Sequence, residues 1–292
     1  MLKLVGNVLA EMNLVPADAS LRYYINISTG YAMSISAYLD CNTFFQVKVS
    51  EYVDLSAEFD ALHRGWTQYP GFVPQPLGKR ERDGWSITVT RGVQHLPFGL
   101  DAALRGQRKS QQALRELQRY FDESGRQSRP GDCDRPHAAF LTDLECHFLK
   151  TPHSRIATKW INLAKSLGAE SLPCTDQHGD FTENNLARSG DHLVIFDWED
   201  YGTCSFPGLD LTSLVFSAFP GIQFHQALIN AGASSSRPPV AFIRQACRSC
   251  GFDMPFYQQL LPFYLLVLLY SKRNYGRPLQ DRIGNLLGQL TK

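Results

Sequence analysis

A chain of 292 residues with 29 Lys and Arg against 28 Asp and Glu carries a formal net charge of +1 and is long enough for one large domain or two lobes around a cleft. Hydrophobic residues at 43% and charged residues at 20% exclude a disordered chain. The near-balanced charge argues against a dedicated nucleic-acid binder, which would carry a basic excess or stripe. The seven cysteines are odd in number and irregularly spaced, so no disulfide framework is expected.

In chain order, MLKLVGNVLAEMNLV reads as an amphipathic helix, with Val5, Val8, Leu9 and Met12 at helical spacing. It has no small-residue cleavage site, and the protein is expected to be cytoplasmic. Residues 21–49 are β-rich runs punctuated by Gly30 and by Asp40-Cys41-Asn42-Thr43, which predicts an antiparallel meander. Leu55–Trp66 reads as a helix opened by Ser56. After the loop PGFVPQPLG a hairpin ends in GWSITVTRGV, with a hinge near residues 90–97.

From Asp101 onward the signal is mainly helical. LRGQRKSQQALRELQRYF places Leu114, Leu117 and Phe121 on one face, and SRIATKWINLAKSLG places Ile156, Trp160, Leu163 and Leu167 on one stripe before a Gly stop. The segment 178–199 reads as loop, short strand, loop. Helices follow in LDLTSLVFSAF, IQFHQALINA, AFIRQACRSC, FYQQLLPFYLLVLLYSKR and RIGNLLGQL, with GASSSRPP a loop between two of them. The pair Cys247 and Cys250 lacks a second ligand pair and a strand leading into it, so it reads as buried or incidental thiol. The apolar run Leu260–Tyr270 is interrupted by Pro262 and falls short of the ~20 residues a spanning helix needs. Trp66, Trp85 and Trp160 read as core. The expected architecture is α+β, a small β-rich N-terminal lobe of residues 1–96 and a larger α-helical C-terminal lobe of residues 97–292.

The residues that suggest chemistry lie in HGDFTENNLARSGDHLVIFDWE, from His178 to Glu199. Phosphoryl transfer to a hydroxyl needs one carboxylate for the hydroxyl proton, hard oxygen ligands for Mg²⁺ and a cation on the nucleotide phosphates. Asp180 sits in a His-Gly-Asp turn, Asn185 follows five residues later, and Asp197 ends the apolar strand LVIF, where a carboxylate emerges at a cleft.

HGDFTENN resembles the HxDxxxxN catalytic loop of the aminoglycoside phosphotransferase and choline kinase-like family. FDWED resembles that family's metal-binding IDWE segment, the counterpart of the protein-kinase DFG, and FPGLDLTSL resembles its P-x-x-D-L helix start. The resemblance implies a two-lobed protein kinase-like fold, with residues 1–96 as the nucleotide-binding lobe and 97–292 as the catalytic and acceptor-binding lobe. It implies Asp180 as the catalytic base, Asn185 and Asp197 as holders of Mg²⁺, and Asp210 as a brace beneath the catalytic loop. His178 takes a structural hydrogen-bonding role. Lys48 in FFQVKVS alternates with Val47 and Val49 and so points away from them. It resembles the strand lysine that pairs with nucleotide phosphates, with Glu58 as its ion-pair partner. Ser28, Thr29 and Gly30 occupy the phosphate-covering loop, where a plain hairpin turn is an equal alternative.

The family implies ATP, or GTP, with Mg²⁺, and a small-molecule hydroxyl acceptor such as a sugar or amino alcohol. The charge balance and the short apolar run lead to an expectation of no nucleic-acid partner and no membrane span, and the oligomeric state stays open. A polycationic aminoglycoside favours an acidic pocket, whereas this chain ends in Leu-Thr-Lys after a basic stretch. An antibiotic kinase is therefore the alternative rather than the first reading. Lys272, Arg273 and Arg277 read either as a solvated helix face or as a contact for an anionic acceptor. A nucleotide-binding pseudokinase or scaffold would show a lost base or ligand, and Asp180, Asn185, Asp197 and Lys48 are all present.

Overall fold

The structure, a computed structural model, describes residues 1–27, 32–100, 111–128, 137–232, 235 and 237–291. It divides into two units, Met1–Pro97 with Ala187–Asp200, and Phe98–Leu186 with Tyr201–Lys292.

In the first unit β1 (Arg22–Ile27), β2 (Met33–Tyr38), β3 (Phe44–Ser50), β4 (Pro76–Arg82) and β5 (Trp85–Arg91) form one sheet in the order β1-β2-β3-β5-β4. Its strand pairs are antiparallel. Strand alternation gives the sheet two unlike faces. Ile35, Ala37, Phe45, Val47, Val49, Ile87 and Val89 form one core with Val5, Val8 and Leu9 of α1 (Leu2–Glu11). The opposite face carries a polar row set by the register: Ser34 faces Lys48 and Ser36 faces Gln46 across β2–β3, while Lys48 faces Thr88 and Gln46 faces Thr90 across β3–β5. Helix α2 (Ser56–Gln68) begins at Ser56 as expected, but Asp54 supplies the side-chain acceptor, taking the Ser56 N–H at 2.8 Å. A second small sheet joins β6 (Leu96–Pro97), β7 (Leu186–Ser189) and β8 (His192–Ile195). Gly190, with φ of 61°, makes the turn of the β7–β8 hairpin, a left-handed conformation that favours glycine.

The second unit is helical: α3 (Gln111–Arg126), α4 (His137–Phe148), α5 (Ser154–Ser166), α6 (Leu209–Ala218), α7 (Ile222–Ile229), α8 (Pro238–Ser249), α9 (Met254–Ser271) and α10 (Arg277–Leu290). Helix α9 is its axis. Leu260, Leu261 and Phe263 to Leu268 are at most 2% exposed, and α9 touches α4, α5, α6, α7, α8 and α10. A helix apolar all round belongs inside a large core, and among the described residues no helix is long and apolar enough to cross a membrane.

Two sequence expectations shift. The buried stripe of α5 is Ala157, Ile161 and Ala164 rather than Ile156, Trp160, Leu163 and Leu167. Alanine weighs little in a hydrophobic stripe, so the pattern points instead to the larger Ile156, Trp160 and Leu163, which are only half-buried. Residues 104–110 of the expected helix leading into α3 and residues 233, 234 and 236 of GASSSRPP lie outside the described residues, while Pro238 and Pro239 open α8 rather than closing the expected loop. Cys247 and Cys250 are buried, and burial pushes the Cys250 thiol up to about 12 and the Cys247 thiol higher than usual. Cys174 is disulfide-bonded, while Cys41, Cys146, Cys247 and Cys250 are free thiols.

Candidate functional site

Lys48 stands on the polar face of the sheet and reaches α2. Its ammonium lies 2.7 and 2.6 Å from the two carboxylate oxygens of Glu58, with Glu199 3.9 Å away. Around it is a cavity of about 160 Å³ lined by Ser34, Gln46, Thr88, Thr90 and Asp197, among others. The Gln46 amide is held on this face: Ser36 donates to its Oε1 at 2.8 Å, and its Nε2 donates to Ser34. Lys48 and Glu58 thus come together as expected, while Ser28, Thr29 and Gly30 lie outside the described residues.

Strand β8 delivers Asp197 at the end of its apolar run, exposed and with φ of 61°. A left-handed backbone is uncommon for a residue with a side chain and is tolerated best by Asn and Asp. The turn is pinned by Trp198, whose indole N–H donates to Ile195 O at 2.7 Å and whose ring is buried. Gly65 of α2 makes room for that ring, since a Cβ there would lie 2.4 Å from Trp198 Cε3. Burial and the charge of Asp197 raise the Glu199 carboxyl above its ordinary range; Lys48 pulls it back, and Glu58 and Asp200 raise it further. One lysine among four carboxylates leaves this corner short of positive charge.

In the second unit the catalytic-loop resemblance folds around Asp210. This residue lies in the first turn of α6, yet its carboxylate serves another segment. One oxygen accepts the His178 N–H at 2.8 Å and the Tyr120 hydroxyl at 3.1 Å, and the other accepts the Gly179 N–H at 3.0 Å. Gly179 has φ of 86°, which turns consecutive N–H groups onto one carboxylate. Burial raises the Asp210 carboxyl, against the opposing pull of His178, the two backbone N–H groups and Tyr120. His178 is fully buried, and its Nδ1 accepts the Asp180 N–H at 3.2 Å.

Asp180 therefore leaves a braced turn with its side chain 18% exposed. The Asn185 amide donates to Asp180 O and to Asp180 Oδ2, both at 2.9 Å. Lys272, just past α9, puts its ammonium 2.6 Å from Asp180 Oδ1. The solvated-face reading fails for Lys272, whose side chain is 2% exposed; Arg273 and Arg277 are exposed. Sequence reasoning also misses Gln177, a buried side chain that accepts the Asp210 N–H at 3.1 Å and donates to Thr175 O at 3.0 Å. Among the described residues no three His, Cys, Asp or Glu side chains form a ready metal cluster.

Over residues 45–243 the sequence matches the phosphotransferase enzyme family known as APH. The chain belongs to this family. The family match begins after Ser28, Thr29 and Gly30 and ends before Lys272. Among solved structures, the chain is similar to a thermostable mutant of aminoglycoside phosphotransferase APH(4)-Ia in ternary complex with ADP and hygromycin B, at 14% identity over 96% of each chain and a TM-score of 0.54. A choline/ethanolamine kinase family protein from Mesorhizobium loti is 15% identical, covering 99% of this chain and 95% of that one, with a TM-score of 0.55. A candidate fructosamine-3-kinase from Thermobifida fusca is 15% identical over 97% of this chain and 99% of that one, with a TM-score of 0.59. At these identities the likeness shows the fold, the α+β fold of the protein kinase-like phosphotransferases. No curated protein matches the chain.

Proposed function

We propose that this phosphotransferase moves the terminal phosphoryl group of ATP, with Mg²⁺, to a hydroxyl of a small molecule such as a sugar or amino alcohol. The observation that carries the reading is Asp180, a carboxylate presented from a braced loop and held on both oxygens by Asn185 and Lys272. Such a group is oriented before the acceptor arrives, which is most of what phosphoryl transfer asks of a protein.

The residues fit a divalent cation in two respects. The Asn185 amide nitrogen is turned onto Asp180, which leaves its carbonyl oxygen for a hard cation. The carboxylates around Lys48 outnumber it. We assign Asn185 and Asp197 as Mg²⁺ ligands. Held by these residues, Mg²⁺ would neutralise phosphate charge. Lys48, steadied by Glu58, bonds the nucleotide phosphates, with Ser28, Thr29 and Gly30 assigned to the covering loop. Asp180 takes the proton of the acceptor hydroxyl as that oxygen bonds phosphorus, and the bond to the leaving diphosphate breaks with its electron pair. Asp210 and His178 hold the turn that presents Asp180.

The test is ADP release with Mg²⁺ over a panel of sugars, amino alcohols and aminoglycosides, with ATP and GTP. Asp180→Asn is expected to abolish transfer and leave nucleotide binding intact. Full transfer by this variant would overturn the assignment.

A further inference from the structure

Lys272 lies beyond the residues that match the family, yet it touches the group assigned as the base. Its place is built by the fold. The Lys272 N–H closes α9 onto Leu268 O and Tyr270 O, and the Tyr275 N–H returns to Lys272 O at 3.0 Å. From α10 the Gln280 side-chain amide reaches Lys272 O, Arg273 O and Tyr275 O at 3.4, 2.9 and 2.7 Å. The ammonium lies 4.2 Å over the Tyr275 ring and 2.6 Å from Asp180 Oδ1. Arg273 turns elsewhere, its guanidinium 4.2 Å over the Tyr270 ring and one nitrogen donating to Tyr270 O at 2.8 Å. One cation of the basic stretch has been taken out of water and set against Asp180. Desolvating an ammonium and a carboxylate together is poor value as a stability device, so a functional reason is in order.

We propose that Lys272 is a positioning residue for phosphoryl transfer, and that by cancelling the charge of Asp180 it directs the enzyme to hydroxyls of uncharged polyols rather than of amino-bearing acceptors. The inference rests on the assignment of Asp180 as the base. With Lys272 on Oδ1 and Asn185 on Oδ2, the carboxylate plane is fixed from two sides, and each oxygen keeps a lone pair for the acceptor hydroxyl. A lone carboxylate would attract an ammonium placed beside the reacting hydroxyl. With a buried ammonium already 2.6 Å from that carboxylate, attraction and repulsion nearly cancel for a second cation, which then loses its hydration without compensation while a neutral acceptor does not. As the hydroxyl proton passes to Asp180, the pair loses its negative member. The Lys272 charge is then uncompensated beside the oxygens where negative charge is developing, which favours the transition state over the ground state.

The experiment compares acceptor pairs that differ by an amino group, glucose against glucosamine and glycerol against ethanolamine, in the wild type and in Lys272→Met, Lys272→Arg and Tyr275→Ala. ADP release gives kcat and KM, calorimetry with a non-hydrolysable ATP analogue gives nucleotide affinity, and thermal melting checks the fold. The wild type is expected to favour the neutral member of each pair. Lys272→Met is expected to lower kcat on the order of 10²-fold at unchanged nucleotide affinity. It should also shift the neutral-to-amino ratio toward the amine by about tenfold, and Lys272→Arg should restore part of both. Should Lys272→Met fail to fold, Tyr275→Ala, which removes the ring under the ammonium and leaves Asp180 paired, is expected to move both readouts in the same direction. If no panel compound accepts phosphate, slow ADP release to water carries the kcat comparison, and an unchanged rate in Lys272→Met overturns the inference. Unchanged kcat in the variants, or a wild-type preference for the amine, overturns the inference. Full activity in Asp180→Asn would instead strike the underlying assignment, so the two failures are distinguishable.

Discussion

Asp210 accepts the His178 N–H on one carboxylate oxygen and the Gly179 N–H on the other, at 2.8 and 3.0 Å. A residue in the first turn of a helix usually turns its carboxylate to its own helix N–H groups; this one holds a different segment. Asp210→Asn would set an amide NH₂ against one of two buried donors. It is expected to cost about 1–3 kcal/mol of stability, the penalty for an unpaired buried group, and to lower kcat far more than nucleotide affinity. Melting curves and single-turnover kinetics read the two effects separately. Wild-type kcat in the variant would show that the loop is positioned by something else.

Lys48 and Glu58 are 30% and 27% exposed in their side chains, and a solvated ion pair contributes about 0–1 kcal/mol to stability. Lys48→Met is therefore expected to melt close to the wild type. Its consequence should fall on nucleotide binding, weakened about 10- to 100-fold by the loss of a charged hydrogen bond. Calorimetric titration with ADP and ATP checks this, and unchanged affinity would remove Lys48 from the phosphate site.

Gly65 lies inside α2, where alanine would ordinarily gain about 1 kcal/mol of helix propensity. Here the new Cβ would stand 2.4 Å from Trp198 Cε3, with two further ring atoms at or within 3.0 Å. Gly65→Ala is expected to lose about 1–3 kcal/mol through overpacking and to displace the turn that carries Asp197. A raised melting temperature would refute the packing argument.

Two buried histidines are expected to contribute to the acid limb of stability. His225 is 1% exposed, with Nε2 donating to Phe219 O at 2.8 Å and Nδ1 buried without a hydrogen-bond partner among the described residues. Burial lowers its pKa from the ordinary 6.5, against the pull of that backbone bond, and burial likewise lowers that of His137. A depressed histidine leaves the unfolded chain binding more protons below pH 6.5. Stability present at neutral pH is then lost as pH falls through 6.5 toward the folded pKa, by up to about 1.4 kcal/mol per pH unit for each group. His225→Gln keeps a donor for Phe219 O and should flatten the fall in melting temperature between neutral and mildly acid pH. An unchanged slope would locate the acid sensitivity elsewhere.

Periodicity makes much of the fold legible in the sequence: Val47, Lys48 and Val49 alternate onto two faces, and Val5, Val8 and Leu9 mark the buried side of α1. It misleads where apolar residues differ in size. In α5 the buried side runs through Ala157, Ile161 and Ala164, and the two alanines weigh little in a hydrophobic stripe. In α9 nearly every position is apolar, so the pattern defines no face and gives no direction to Lys272 at its end. The spacing of Asp180, Asn185 and Asp197 is readable because those residues lie close in sequence. Asp210 on α6 is readable only through the FPGLDLTSL resemblance, whereas Lys272 beyond α9 is brought to Asp180 by tertiary packing alone, and local sequence carries no trace of that contact.

Asp197 couples backbone strain to the assigned metal chemistry, and two substitutions separate them. At φ of 61° a side chain with a β-carbon costs about 1–2 kcal/mol in the left-handed region, a penalty that Asn and Asp relieve by local hydrogen bonding. Asp197→Asn keeps that tolerance and removes the charge; Asp197→Ala removes both. Because Asp197 is exposed, no core packing is lost in either case. Asp197→Asn is expected to melt within about 0.5 kcal/mol of the wild type, and Asp197→Ala about 1–2 kcal/mol below it. Both are expected to lose the Mg²⁺ dependence of nucleotide affinity, measured by titrating ADP with and without the metal. A variant that melts like the wild type and still binds nucleotide in a Mg²⁺-dependent way would take Asp197 out of the metal site, whatever its backbone does.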